Sequence, residues 1–193
     1  MAVATGIGVA ATLLPGPAEG RVVVAIGANL GVDFPAGDAL GPGGVWHLAV
    51  DLAPGENMLI AAELGTAAFE TGEERTVTID GIPRDVIAHA VSTLGLVARR
   101  SLGTGGVRPY VAAGADWYTS WEDYDSPTGR EWTTNATGLG LLFGVGGVLA
   151  VSGRLDAYAE GVYHLATHAE ADARYAALQG GLRFYMSARA PGR

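Results

Sequence analysis

Apolar and polar residues alternate along most of this chain, and the alternation falls into eight runs. The first covers Arg21 to Asp33, with Val22, Val24, Ile26, Ala28, Leu30 and Val32 opposite Gly27, Asn29 and Gly31. The others run over Val45–Leu52, Met58–Phe69, Asp85–Arg99, Arg108–Thr119, Thr137–Val151, Arg154–Leu165 and Tyr175–Met186. A repeat of two is the period of a β-strand, whose successive side chains point to opposite faces. The run Arg154–Leu165 is the cleanest: Leu155, Ala157, Ala159, Gly161, Tyr163 and Leu165 face one way, and Arg154, Asp156, Tyr158, Glu160, Val162 and His164 the other. In the fourth run the pattern blurs, because Val91 and Val97 fall on the polar side. No helical period of useful length is present.

The connections alternate as well. DFPAGDALGPGG, ETGEERTVTIDGIPR and SWEDYDSPTGREWTTN are long, whereas Ala53–Asn57, SLGTGGV and Ser152–Gly153 are tighter; ATHAEADA is intermediate. Alternating long and short connections suit an up-and-down barrel with loops at one end and turns at the other, and eight strands bring both barrel termini to the turn end.

Charges decide which face looks inward. The polar faces carry Asn29, His47, Asp51, Glu63, His89, Arg99, Tyr110, Asp116, Asp156, Glu160, Gln179 and Arg183. A bilayer requires apolar residues outside and a closed sheet with no unpaired edge. The chain is 49% hydrophobic and only 17% charged, with a mean hydropathy of +0.24, which suits such an exterior. Its 30 glycines suit the crowded interior of a small barrel. The expected fold is all-β, an eight-stranded antiparallel up-and-down transmembrane β-barrel over residues 21–186. Residues 1–20 read as a signal-peptide remnant or a flexible N-terminal segment, and 187–193 as a short C-terminal tail. The alternation leaves one rival open, a soluble carrier of the lipocalin type with Leu141, Phe143, Leu182 and Phe184 turned inward.

Candidate chemistry is sparse. There is no cysteine, so disulfides and thiolate sites are absent. The formal charge of −8, with arginine as the only strong base, argues against nucleic acid as a partner. Asp156, Glu160, Arg154, Arg183, Asp116, Glu63 and His164 form the candidate site, a structural network of polar groups inside the barrel. No catalytic, cofactor-binding or metal residues are assigned. His164 and His168 have the spacing of a helical zinc pair, but four residues of strand put them about 13 Å apart. An enzyme would have to draw on Ser120, Ser126, His168 and Glu170 near the outer loops. The stretches Glu70–Glu74 and Glu122–Asp125 are expected as solvated acidic loops, with divalent cations that bridge lipopolysaccharide or a protein partner as the functional alternative. Trp46, Trp117, Trp121, Trp132, Tyr124, Tyr163 and Phe184 are expected in aromatic belts at the membrane interfaces.

On VVVAIGANLGVDFPAGD, RPYVAAGADWY, RLDAYAEGVYHLATH and RYAALQGGLRFYM, the chain resembles the OmpA/OmpX-like outer-membrane β-barrels over about Arg21 to Met186. Its last strand is similar to the assembly signal of such barrels in Gln179, Gly181, Phe184 and Met186, although SARAPGR follows the terminal aromatic. The resemblance implies the outer membrane of a Gram-negative bacterium, with both barrel termini periplasmic. It implies as partners membrane lipid and lipopolysaccharide, the barrel assembly machinery, and a protein at the loops. It implies a non-enzymatic envelope or surface-interaction role, with a lipid A-modifying enzyme as the alternative.

Overall fold

A computed structural model of the chain describes residues 23–36, 40–55, 57–71, 75–79, 81–103, 105–126, 129–166 and 174–186. The expectations for residues 1–20 and 187–193 lie outside them. The described residues form β1 (Val23–Pro35), β2 (Leu40–Gly55), β3 (Met58–Thr71), β4 (Arg75–Ile79), β5 (Ile82–Ser101), β6 (Val107–Ser126), β7 (Gly129–Ser152), β8 (Leu155–Ala166) and β9 (Arg174–Tyr185). Each pairing is antiparallel. The sheet runs β3-β2-β1-β9-β8-β7-β6-β5, and β3 pairs with β5 to close it into an eight-stranded barrel. β4 stands outside the closure and pairs with the start of β5, Thr76 opposite Asp85.

Two ends follow from this connectivity. The turn end holds the β2–β3, β5–β6 and β7–β8 connections and both barrel termini, where the Met186 amide donates to the Val24 carbonyl at 2.9 Å and the Tyr185 amide to the Arg154 carbonyl at 2.9 Å. The loop end holds the other connections. Much of what reads as long loop is strand. β2 begins at Leu40, β4 lies within ETGEERTVTIDGIPR, and β6 and β7 run on as a ladder to Ser126 opposite Gly129. The physical reason is that antiparallel backbones keep pairing beyond the height a bilayer needs. A crossing takes about 9–11 residues, and β7 has 24.

Burial follows the alternation with the apolar side outward. Leu30, Leu94, Leu96, Leu139, Val145, Leu178 and Leu182 are exposed around the barrel, while Asn29, Asp51, Arg99, Asp116, Glu160 and Arg183 are buried within it. Leu141, Phe143 and Phe184 also point outward, so the inward-facing arrangement needed by a lipocalin-type carrier does not occur. Val91 and Val97 on β5 face inward and pack in apolar patches beside Tyr118 and Tyr110, which accounts for the blurred pattern there. A register shift between Val86 and Ala88 then changes the inward parity of β5 towards the loop end.

Candidate functional site

Inward glycines make the interior possible. His47 on β2 lies over Gly65 of β3, the Asp116 carboxylate on β6 lies over Gly95 of β5, and the Tyr110 ring on β6 lies over Gly146 of β7. A methyl group at any of the three would overlap the side chain that crosses it. A small residue on one strand therefore holds a large polar one from its neighbour.

The turn-end half is filled by ion pairs. The Arg99 guanidinium donates from Nη2 to Glu160 Oε1 at 2.7 Å, from Nε to Glu160 Oε2 at 3.1 Å, and from Nη1 to Glu63 Oε1 at 2.6 Å. Glu160 also accepts from the Tyr110 hydroxyl at 2.9 Å and from Gln179 Nε2 at 2.7 Å. That bond orients the Gln179 amide and leaves its Oε1 facing His47 Nδ1 at 3.0 Å, so His47 donates from Nδ1. Arg183 donates from Nε to Asp51 Oδ2 at 2.7 Å, and its guanidinium lies 4.9 Å from the centre of the Tyr158 ring. Asp156 accepts from the Tyr185 hydroxyl at 2.8 Å and faces Arg108 Nη2 at 3.5 Å. A buried ion pair repays its desolvation only with good geometry and further hydrogen bonds, and Glu160 has both.

The loop-end half is filled by rings. His47, His164, Tyr175, Phe69 and His89, from five different strands, stand in sequence with centroid separations of 6.3, 4.3, 5.5 and 6.1 Å. Tyr118 donates towards Asp116 Oδ2 at 3.3 Å and contacts His164 Nδ1 at 3.1 Å. At the mouth, Tyr124 donates to Glu122 Oε2 at 2.6 Å, and His89 Nδ1 lies 3.5 Å from Glu122 Oε1.

Of the network residues expected from sequence, Asp156, Glu160, Arg183, Asp116 and His164 are buried in the interior, and Glu63 reaches it through Arg99. Arg154 does not. It is exposed in the β7–β8 turn, where its amide donates to Ser152 Oγ at 3.2 Å. The ladder ends at Leu155 opposite Ser152, so Arg154 precedes the strand whose alternation would have turned it inward. Arg108 from β6 faces Asp156 instead. The reading of Glu122–Asp125 as a solvated acidic loop is corrected likewise. Glu122 and Asp123 are both buried, where β6 runs opposite the register shift between Val86 and Ala88 of β5, and only Asp125 is exposed. In the other acidic stretch Glu70 is exposed, and 72–74 lie outside the described residues. Tyr124 is buried too and leaves the expected outer belt, whereas Trp46, Trp117, Tyr163 and Phe184 face outward. The side chain of Trp132 lies outside the described residues.

Among the residues weighed for enzymatic chemistry, Ser120 is buried and bonded to the Ala136 backbone. His168, Glu170 and the side chain of Ser126 lie outside the described residues. In the terminal strand, Gln179 is held inside, Gly181 lies against the Ala28 and Asn29 backbone, and Phe184 and Met186 point outward. The central position of Arg99 was legible only as one inward residue among many. The alternation gives a residue its face, and only closure tells it what it meets across the lumen.

The fold is that of small outer-membrane barrels. The chain is similar to Neisserial surface protein A (NspA), with a TM-score of 0.59 and 16% identity, over 84% of this chain and 96% of that one. It is similar to a major outer membrane protein from Thermus thermophilus, at 0.56 and 14%, over 84% and 99%. It is similar to the N-terminal β-barrel domain of Pseudomonas aeruginosa OprF, at 0.55 and 15%, over 86% and 99%. No protein-family model and no curated protein matches the sequence.

Proposed function

We propose that this chain is an integral outer-membrane barrel of a Gram-negative bacterium. It carries out no catalysis and acts through its place in the envelope and the hairpins it presents at the loop end. The observation that carries this reading is the inversion of faces: a continuous apolar exterior around a lumen of charged and aromatic groups. Such a surface is matched by lipid and is costly in water. The lumen favours a plug over a pore, since Arg99 of β5 reaches across it to Glu160 of β8 while also bonding to Glu63 of the neighbouring β3. A non-enzymatic role is favoured because the clustered titratable groups are buried and mutually bonded, away from the lipid-facing surface.

In this reading the turn end and both barrel termini are periplasmic, and the β4–β5 and β6–β7 extensions stand outside the cell. There, exposed Glu70, Asp85 and Asp125 meet lipopolysaccharide or a protein partner. The partners of the barrel itself are membrane lipid and, through Gln179, Gly181, Phe184 and Met186, the assembly machinery. Nucleic acid is not among them.

The chain lacks cysteine, which permits a clean test. Asp125→Cys and Arg154→Cys are made separately and exposed to a membrane-impermeant thiol reagent on intact cells. Labelling of the first alone, with the second reacting after the outer membrane is opened, is the expected result. The reverse pattern overturns the orientation. Recovery of the protein in the soluble fraction overturns the membrane reading. A change in lipid A mass that depends on the protein favours the enzyme.

A further inference from the structure

Of the loop-end arginines, the side chains of Arg84 and Arg174 are described. Arg84 stands out on the β4–β5 hairpin, opposite Val77, and is engaged within the chain. Arg174 opens β9 and is exposed on its outward face, two positions towards the loop end from the outward Ala176. It too has an interaction within the chain, but a guanidinium carries five N–H donors and can serve a further anion.

Below Arg174 the outward face is hollow. Ala176 is in register with Phe34 of β1 on one side and Tyr163 of β8 on the other, and both rings are exposed. Two strand spacings, about 10 Å, separate their backbones, with only a methyl group between them. Because barrel strands tilt by about 35–45°, a line down the barrel wall passes from β9 to β8 and then to β7. It meets Gly161 on β8, in register with the exposed Leu178 and Val145, and then Gly147 on β7, opposite Ala159. These glycines differ from those inside the lumen. A Cβ at Gly161 would have Leu178 Cδ2 at 3.5 Å, and one at Gly147 a Val107 methyl at 3.8 Å. Both are ordinary contacts, so the barrel's own packing does not require a bare backbone there. The result is a smooth trough with Phe34 and Leu178 along one side, Tyr163 and Val145 along the other, and an arginine at its loop end.

We propose that the trough seats one acyl chain of a lipopolysaccharide molecule, with a phosphate of its lipid A on the Arg174 guanidinium. The inference rests on the orientation proposed above, in which the loop end lies in the outer leaflet. A planar guanidinium pairs with phosphate through parallel hydrogen bonds. An aromatic ring with one polar end, as in Tyr163, suits the level where acyl chains meet headgroups. The charge pattern agrees: exposed Glu70, Asp85 and Asp125 stand on β3, β5 and β6, none of which adjoins β9.

The test folds the full chain in detergent micelles, checks it by its heat-dependent gel mobility, and titrates it with bisphosphorylated lipid A or with phosphatidylglycerol under native mass spectrometry. One saturable lipid A adduct is expected, at concentrations where phosphatidylglycerol gives none. Arg174→Gln weakens it about tenfold, the loss of one charge-assisted contact, and Gly161→Leu, which fills the trough, weakens it as well. Arg154→Gln, at the turn end, leaves it unchanged. Undiminished binding in either trough variant overturns the proposal, as does equal binding of phosphatidylglycerol. If Gly161→Leu fails to fold, the exposed Arg174→Gln decides. A barrel that shows the mobility shift but takes up no lipid A overturns this site and leaves the membrane reading standing. A chain that folds only in detergent-free buffer overturns both.

Discussion

Arg99 and Glu160, on strands that are not neighbours in the sheet, meet across the lumen through two hydrogen bonds of 2.7 and 3.1 Å. This forked contact is the centre of the turn-end network, since Glu63, Tyr110 and Gln179 all bond to one partner or the other. Replacing Arg99 by Met leaves Glu63 and Glu160 buried without their counter-charge. The expected cost is about 3–5 kcal/mol, read as a lower urea midpoint for loss of the fast-migrating folded band on an unboiled gel. A midpoint equal to wild type would show that the network contributes nothing to stability.

The glycine cradles give a second expectation. Gly95→Ala pushes a methyl into the Asp116 carboxylate and to 2.6 Å from the Ala115 carbonyl oxygen, part of the backbone. Overpacking of this kind costs about 1–3 kcal/mol. Gly147→Ala is the control, since its nearest atom would be a Val107 methyl at 3.8 Å, an ordinary contact. Chemical unfolding of the two variants side by side should separate them, with only the first destabilised.

The outward face is tested by charge. Leu182 is exposed on β9, in register with Ala28 and Ala157. Leu182→Arg, three residues from the turn-end terminus of β9, is expected to destabilise the barrel in lipid by about 1–3 kcal/mol, between the cost of a cation at the bilayer midplane and the smaller cost near an interface. Arg154→Ala, in the exposed turn, should stay within about 0.5 kcal/mol of wild type. Reversible unfolding from vesicles measures both, and a tolerated arginine at position 182 would place that face in water.

The terminal strand allows stability and recognition to be told apart. Gln179 is bonded to Glu160 and His47, so its replacement disturbs the interior as well as any assembly signal. Phe184 and Met186 point outward. The double variant Phe184→Ala, Met186→Ala should fold in detergent with a near-native urea midpoint yet appear more slowly as folded protein in cells. Pulse-labelling of newly made chains checks this, and wild-type kinetics in cells would remove these two residues from the assembly signal.

Much of the architecture was legible in the order of the residues. Strand alternation is local, because each side chain's face is set by its own backbone, so the eight strands, the outward Leu178, Leu182 and Phe184, and the inward Glu160 and Arg183 could be read without a partner in view. The sequence by itself also determined the excess of acid, the lack of cysteine and the alternating connection lengths. It did not determine where pairing stops. Whether β6 and β7 end at the lipid or continue to Ser126 and Gly129 depends on two backbones finding each other, as does the short β4. Nor did it determine which charges meet. Arg154 reads as an inward member of the network because alternation places it on the face of Asp156, yet the turn leaves it outside and Arg108 arrives from β6. Arg99 reaches Glu63 and Glu160 only because closing the sheet fixes which strands face each other across a narrow lumen. Alternation assigns a side chain to a face, but the shear and bulges of the closed barrel set its height, and height decides its neighbours.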